Sequence, residues 1–192
     1  MKAAQITALG RIDLIDVPDL HTPGTDEVIV TAETGCLCGS DIPFFSEPQR
    51  VYPLPLGLSL HEIIGRVAAS ESPSFRVGER VLAMPPGLLG CAEQLRLSAE
   101  RLVPIDDALS NDTAVLSQPM ATVLSALSTV PTLVGLTVAV VGQGPIGLLF
   151  DACLSQLGAS RVVGIDVQES RAQRGCEFGA TDVCVTRDRY GT

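Results

Sequence analysis

Two groups of residues in this 192-residue chain have the types and spacing to do chemistry. The first is the turn Gly142-Gln143-Gly144-Pro145-Ile146-Gly147, which joins an apolar run, Thr137 to Val141, to a stretch with helical periodicity. A GxGxxG turn entering a helix is suited to a dinucleotide diphosphate. Gly142 permits the tight turn, Gly144 lets backbone approach the diphosphate, Gly147 lets the helix pack close, and Pro145 and Ile146 complete the first helical turn. The free N–H groups and the positive end of the helix dipole favour the anion. A second apolar run, Val162 to Ile165, ends on Asp166, 24 residues beyond Gly142. Its carboxylate suits the adenosine ribose hydroxyls and repels a 2′-phosphate, so NAD is expected in preference to NADP. Arg171 nearby weakens that preference without reversing it. The local alternatives are an ordinary tight turn and, for Asp166, a solvated helix N-cap ahead of Gln168-Glu169-Ser170. The full order of strand, glycines, helix, strand and acid favours the dinucleotide.

The second group is Cys38-Gly39-Ser40-Asp41, followed 23 residues after Cys38 by His61-Glu62. A thiolate, an imidazole and a carboxylate are the donor types of a catalytic zinc site with one open position. Zinc is a Lewis acid that lowers the pKa of a hydroxyl, to about 7 for water in the best-studied cases. An alcohol could then give its proton to a relay near neutral pH and its hydride to nicotinamide. In this reading Cys38, His61 and Glu62 hold the metal, Ser40 relays the proton and Asp41 orients the His61 ring. Taken singly, Cys38 reads equally as a packed small hydrophobe and His61 as a polar residue at a strand end. His21, in a Thr-Pro-Gly turn, reads as a solvated loop residue.

The elements that must position these residues follow from periodicity. Ala3 to Thr7, Glu27 to Ala32, Ile64 to Ala68, Arg80 to Ala83 and Ala92 to Leu97 are β-rich runs between Pro, Gly and Asp punctuation, which suggests a compact barrel or sandwich. Near Ser110 the character changes. Ser110-Asn111-Asp112 caps a short helix, Pro119 to Val130 reads as another, and strand, helix, strand, helix, strand follow from Thr137. Ile146, Leu149, Phe150, Cys153, Leu154 and Leu157 share one helical face, closed by Gly158. A last helix, about Ser170 to Phe178, stops at Gly179. The expected domains are 1–118 and 119–192, the second holding three of the six strands of a doubly wound sheet. A truncated or partial form is therefore expected.

With 46% hydrophobic and 18% charged residues the chain is globular rather than disordered. A formal charge of −9 argues against nucleic acid or an anionic membrane as partner. No apolar run is long enough to span a bilayer, and the start lacks the regions of a secretory signal, so cytoplasmic residence is expected. Six cysteines form neither a CxxC pair nor a disulfide framework. Cys153 and Cys184 are expected to be inert core residues.

Taken together, these segments resemble the zinc-containing medium-chain dehydrogenase/reductase family, also called the zinc alcohol dehydrogenase family. VPDLHTPGTDEVIV is similar to its opening strands, GCLCGSD to its first zinc-ligand turn and LSLHEIIGRV to its GHE segment; VGERV, CAEQLRL and QPMATVLSAL follow in family order. The resemblance implies a GroES-like β-barrel catalytic domain, then a partial Rossmann domain, with zinc and NAD(P) chemistry on small alcohols or polyols. It also implies a homo-oligomer for a full-length form. Leu60 stands where the family has Gly before His-Glu, Gln118 where it often has a zinc-site glutamate, and Pro43 where many members carry a relay histidine. Glu62 or water must therefore complete the zinc shell. The four-cysteine lobe has no counterpart between Val81 and Cys91, so one catalytic zinc and no structural zinc is expected. The competing readings are a zinc-free medium-chain reductase, which accounts for Gln118, and an inactive truncated fragment that only binds.

Overall fold

A computed structural model describes residues 1–49 and 51–186, which form two compact units, Met1–Ser117 and the chain from Gln118 onward. In the first unit, β1 (Lys2–Ala8) and β2 (Arg11–Asp16) make an antiparallel hairpin. The main sheet has five antiparallel strands in the order β6-β3-β4-β5-β7. These are β3 (Glu27–Gly35), β4 (Ile63–Ser70), β5 (Arg80–Ala83), β6 (Gln94–Ser98) and β7 (Leu102–Pro104). A five-residue helix α1 (Ile42–Ser46) lies between β3 and β4, and α2 (Asn111–Ala114) follows β7.

Period-two alternation sorts the side chains of this sheet onto two faces. Val28, Val30, Ile63, Val67, Val81 and Leu95 build one core, while Ile64 and Leu82 point the other way against Ala114 and Val115 of the α2 segment. Ser110 caps α2 as expected, its hydroxyl accepting from the Thr113 N–H at 3.2 Å. Arg80, 4% exposed, holds the approach to that helix. Its guanidinium donates to the carbonyls of Asp106 at 2.8 Å and Leu109 at 2.7 Å and to Asn111 Oδ1 at 2.6 Å.

The second unit is a small α/β arrangement of helices packed on a parallel sheet. After α3 (Ser117–Leu127) come β8 (Thr137–Val141), α4 (Pro145–Gln156), β9 (Arg161–Asp166), α5 (Glu169–Gly175), a single 3-10 turn and β10 (Asp182–Val185). The strands are parallel in the order β10-β9-β8. Val123 and Leu127 of α3 and Leu149, Cys153 and Leu154 of α4 cover Val140 and Val162 of the sheet. A GroES-like sheet followed by a partial Rossmann unit is thus the architecture, as expected.

Several local expectations need correction. The strand after β1 is Arg11–Asp16, whereas 17–24 is irregular, because the hairpin closes at Gly10 (φ 68°) and Val17 N–H returns to the Met1 carbonyl. Ile146 and Leu157 share a helix face with buried residues but are 46% and 43% exposed, since they lie at the ends of α4, beyond the cover of the sheet. Cys184 is exposed, not a core residue, because β10 is an outer strand whose last two positions face solvent.

Replacing Arg80 by Met should lower the stability of the first unit by about 2 kcal/mol, since three part-buried acceptors lose a charged donor. Arg80→Lys should recover less than half, because an ammonium cannot span three acceptors as a fork does. Urea unfolding midpoints would measure both.

Candidate functional site

Antiparallel pairing, rather than sequence proximity, brings Cys38 and His61 into one neighbourhood. β3 ends opposite the start of β4, with Gly35 paired to Ile63, and the Cys36 N–H donates to the Glu62 carbonyl at 3.3 Å. The turn leaving β3 and the segment entering β4 are therefore adjacent strand ends. Asp41, 4% exposed, links them: its Oδ2 accepts the Cys38 N–H at 2.8 Å and its Oδ1 the Leu60 N–H at 3.1 Å. Asp41 thus acts on backbone on both sides of the site. This differs from the expectation that it orients the His61 ring, and the reason is geometric, since its oxygens face two main-chain N–H groups while one imidazole nitrogen meets Glu62 and the other has no partner.

Leu60 carries φ 67° and Ser59 φ 102°, the left-handed region that glycine enters freely and other residues enter at a cost of order 1 kcal/mol or more. The conformation is held from both sides. Ser59 exchanges backbone bonds with the loop at Leu88 and Gly90, and Leu60 is fixed by Asp41. The family's glycine position thus keeps a glycine-like backbone with a leucine side chain, which packs over Gly35.

His61 and Glu62 meet directly, with Nε2 3.2 Å from Oε1. The other imidazole nitrogen, Nδ1, is buried and has no hydrogen-bond partner. Burial pushes the Glu62 carboxyl up; the neighbouring His61 opposes this and the Asp41 carboxylate adds to it. Cys38 is half-buried, and Ser40 is exposed in the turn. Cys36, a residue the sequence reading did not assign, has its thiol pushed up by burial and then by Glu62, Cys38 and Asp41, so four polar groups share this neighbourhood. Among the described residues, no three His, Cys, Asp or Glu side chains converge on one point that could hold a metal. The expected set of Cys38, His61 and Glu62 is therefore represented by one joined pair and a tethered thiol turn. The donor types suit zinc: an imidazole with an orphaned buried nitrogen, a buried carboxylate beside it, and a cysteine whose backbone N–H is held by Asp41.

In the second unit the glycine turn has the form its sequence suggests. Gly142 takes φ 95°, and its N–H donates to Ile165 at 2.7 Å, which closes the turn onto β9. Nothing lies within 4 Å of where a Cβ on Gly144 would project, as an approaching ligand requires. At Gly147 a Cβ would overlap the Gly142 carbonyl oxygen, so the first turn of α4 lies directly on the glycine loop. Pro145 opens α4, and no side chain caps its N-terminus. Val141, Ile146 and Val167, at the carboxyl ends of the strands, are 82%, 46% and 46% exposed, an apolar rim around the turn.

Asp166 is 8% exposed and neither a free carboxylate nor a solvated helix cap. Its Oδ2 accepts the Gln143 N–H and its Oδ1 the Gln168 N–H, both at 2.8 Å. The Gln168 amide, ahead of a partial burial penalty and the Gln143 amide, holds the carboxyl below its ordinary range, with Arg171 assisting. Arg171 itself is exposed on α5.

Residues 24–109 match the Alcohol dehydrogenase GroES-like domain. The chain is 27% identical to a sorbitol dehydrogenase of Bacillus subtilis and 30% identical to an L-threonine 3-dehydrogenase of Chromobacterium violaceum, over 98% and 94% of its own length. By these matches the chain is similar to the zinc-containing medium-chain dehydrogenase/reductase family. It spans 62% of the length of each of those two family members. In structure it is similar to galactitol-1-phosphate dehydrogenase from Escherichia coli, with a TM-score of 0.84 and 22% identity over 95% of this chain and 60% of that one.

Gly147→Ala should destabilise the second unit by more than about 2 kcal/mol, because the added methyl meets backbone rather than a flexible side chain; a urea titration would measure it. For Asp166→Asn the cost should depend on pH. A carboxylate whose folded pKa is depressed contributes stability above the unfolded value and loses it as pH falls through the folded value. The gap between wild type and variant should thus be largest at pH 7 and shrink below about pH 4, as read from melting temperatures.

Proposed function

We propose that the chain is the catalytic and coenzyme-binding portion of an oxidoreductase that moves a hydride between the CH–OH group of a small alcohol or polyol and NAD, with one catalytic zinc. The observation that carries this reading is the Asp41 bridge, which fixes the Cys38 turn and the His61-Glu62 segment at adjacent strand ends and so groups the donor types a zinc ion needs. His61 would bind through its unpartnered nitrogen, with Cys38 and Glu62 as further ligands. When bound, zinc supplies Lewis acidity that lowers the pKa of the substrate hydroxyl. Ser40, exposed in the same turn, would take that proton and pass it to solvent.

In the second unit, the N–H groups of Gly144, Ile146 and Gly147 would face the diphosphate and the apolar rim of Val141 and Ile146 would flank it. Asp166 would offer its remaining lone pairs to the ribose hydroxyls and repel a 2′-phosphate. The sorbitol and threonine dehydrogenase relatives act, by their names, on hydroxyl-bearing substrates, which supports an alcohol or polyol as substrate class. The residue types support a cytoplasmic enzyme that works without nucleic acid or membrane. A zinc-free reductase is the second reading; Gln118 and the lack of three converging donors among the described residues favour it.

Zinc analysis of the chain, purified without added metal or chelator and dialysed free of loose ions, separates the two. The first reading expects about one zinc per chain, lost in Cys38→Ser. Asp41→Asn should weaken retention by roughly 10- to 100-fold, because an amide must turn one N–H toward a backbone N–H. Hydride transfer to NAD at full rate by metal-free protein would establish the second reading. Titration with NAD and with NADP should show NAD binding more tightly, and Gly147→Ala should abolish both.

A further inference from the structure

Within the glycine turn, Gln143 does more than fill a variable position. Its side chain is 1% exposed and runs from the turn into the space that Gly164 and Gly175 leave open, where a Cβ on either residue would collide with its amide. Beside it, Asp151 of α4 is 0% exposed. Gln143 Oε1 and both Asp151 carboxylate oxygens are buried with no hydrogen-bond partner, and a single point, that of a Cβ on Gly175, lies in overlap with Gln143 Oε1 and 3.2 Å from Asp151 Oδ2. Three acceptors therefore share one dry space that lacks a donor, an arrangement that costs each atom its hydration. Turning the Gln143 amide over does not resolve this, because Nε2 already donates to the Val140 carbonyl at 3.3 Å and the exchange would set two carbonyl oxygens together.

We propose that Asp151 is carried as the neutral acid, donating its hydroxyl hydrogen to Gln143 Oε1, and that through Gln143 it is a positioning residue for the glycine turn. The proton completes the set, turning one of three acceptors into the missing donor. Burial pushes the Asp151 carboxyl up to about 6 against the opposing effect of the Gln143 amide. The ionisable groups on neighbouring elements are Asp166 at the end of β9, Glu169, Arg171 and Arg174 on α5, and Cys176 and Glu177 in the turn after it. All but Asp166 are exposed, Asp166 accepts the Gln143 and Gln168 amides, and none of them shifts Asp151. Because the Gln143 N–H is the one bound to Asp166, ionising Asp151 sets a buried anion against an amide oxygen whose own backbone forms the cofactor turn.

The consequence for binding rests on the dinucleotide reading above; the proton itself does not. Thermal and urea melts of the chain from pH 5 to 8 test the proton, comparing wild type with Asp151→Asn, which keeps a donor at every pH, and with Asp151→Leu should the amide variant fold poorly. A raised folded pKa means stability that is complete below the unfolded carboxylate range and is lost as pH rises through about 6. Relative to either variant, the wild-type folding equilibrium should weaken by roughly 10-fold from pH 5 to 8. The NAD dissociation constant should rise several-fold from pH 5.5 to 8 in wild type and change less in Asp151→Asn. A stability gap independent of pH, or a carbon-13 titration of the Asp151 carboxyl below pH 5, overturns the proton. An NAD affinity whose pH dependence is the same in wild type and Asp151→Asn overturns the positioning role. If NAD fails to bind at any pH while the stability gap follows the expected course, the cofactor reading fails and the proton stands.

Discussion

A carboxylate removed from water must be satisfied by donors of fixed direction, and in this chain that requirement shapes both chemical neighbourhoods. Asp41 and Asp166 are each almost fully buried, and each oxygen of each carboxylate accepts one backbone N–H. The amides come from segments distant in sequence: Cys38 and Leu60 in one case, Gln143 and Gln168 in the other. Satisfying the charge therefore forces a register between two loops. Side-chain contacts between those loops could slip by an ångström at little cost; a buried ion with two directed bonds cannot.

The two neighbourhoods differ in what surrounds the carboxylate. In the first unit, antiparallel pairing of β3 and β4 sets two strand ends together, and Asp41 spans the loops that leave them, holding a left-handed backbone at Leu60 where the family has glycine. The strain at Ser59 and Leu60 persists because bonds on both sides over-determine it. In the second unit the strands are parallel, so the carboxyl ends of β8 and β9 lie on the same side and the glycine turn rises from one beside the acid that ends the other. Asp151 is the exception to the pattern. It is a buried carboxyl with no amide to receive it, and protonation is the cheapest way to remove its charge.

Much of the architecture was legible in the chain. Thr137–Val141, Arg80–Ala83 and Asp182–Val185 are short runs bounded by Gly, Pro or polar residues, and they fold as strands over those residues. The turn at 142–147 was legible because Gly142 takes a positive φ and Gly147 leaves no room for a Cβ, demands that only glycine meets freely. The hairpin strand Arg11–Asp16 was less so. It alternates as a strand should, but it carries Ile12 and Leu14 toward solvent, at 50% and 68% exposed, and so lacks the link between pattern and burial on which the reading depends. Cys184 and Ile146 were misplaced for a related reason: periodicity identifies a face, not whether anything covers its end.

Amino-acid types and spacing thus determined the elements, the order of the two units and the donor chemistry of Cys38, His61, Glu62 and Asp166, since those properties depend on residues within a few positions of one another. Tertiary structure decided what the buried acids do. Asp41 serves backbone and not the imidazole, Asp166 closes the glycine turn as well as presenting an acid at its rim, and Asp151 meets Gln143 in a space with no donor. Each of these outcomes depends on which group from elsewhere in the chain arrives beside a carboxylate, Leu60, Gln143 or none, and no local pattern in a chain encodes that.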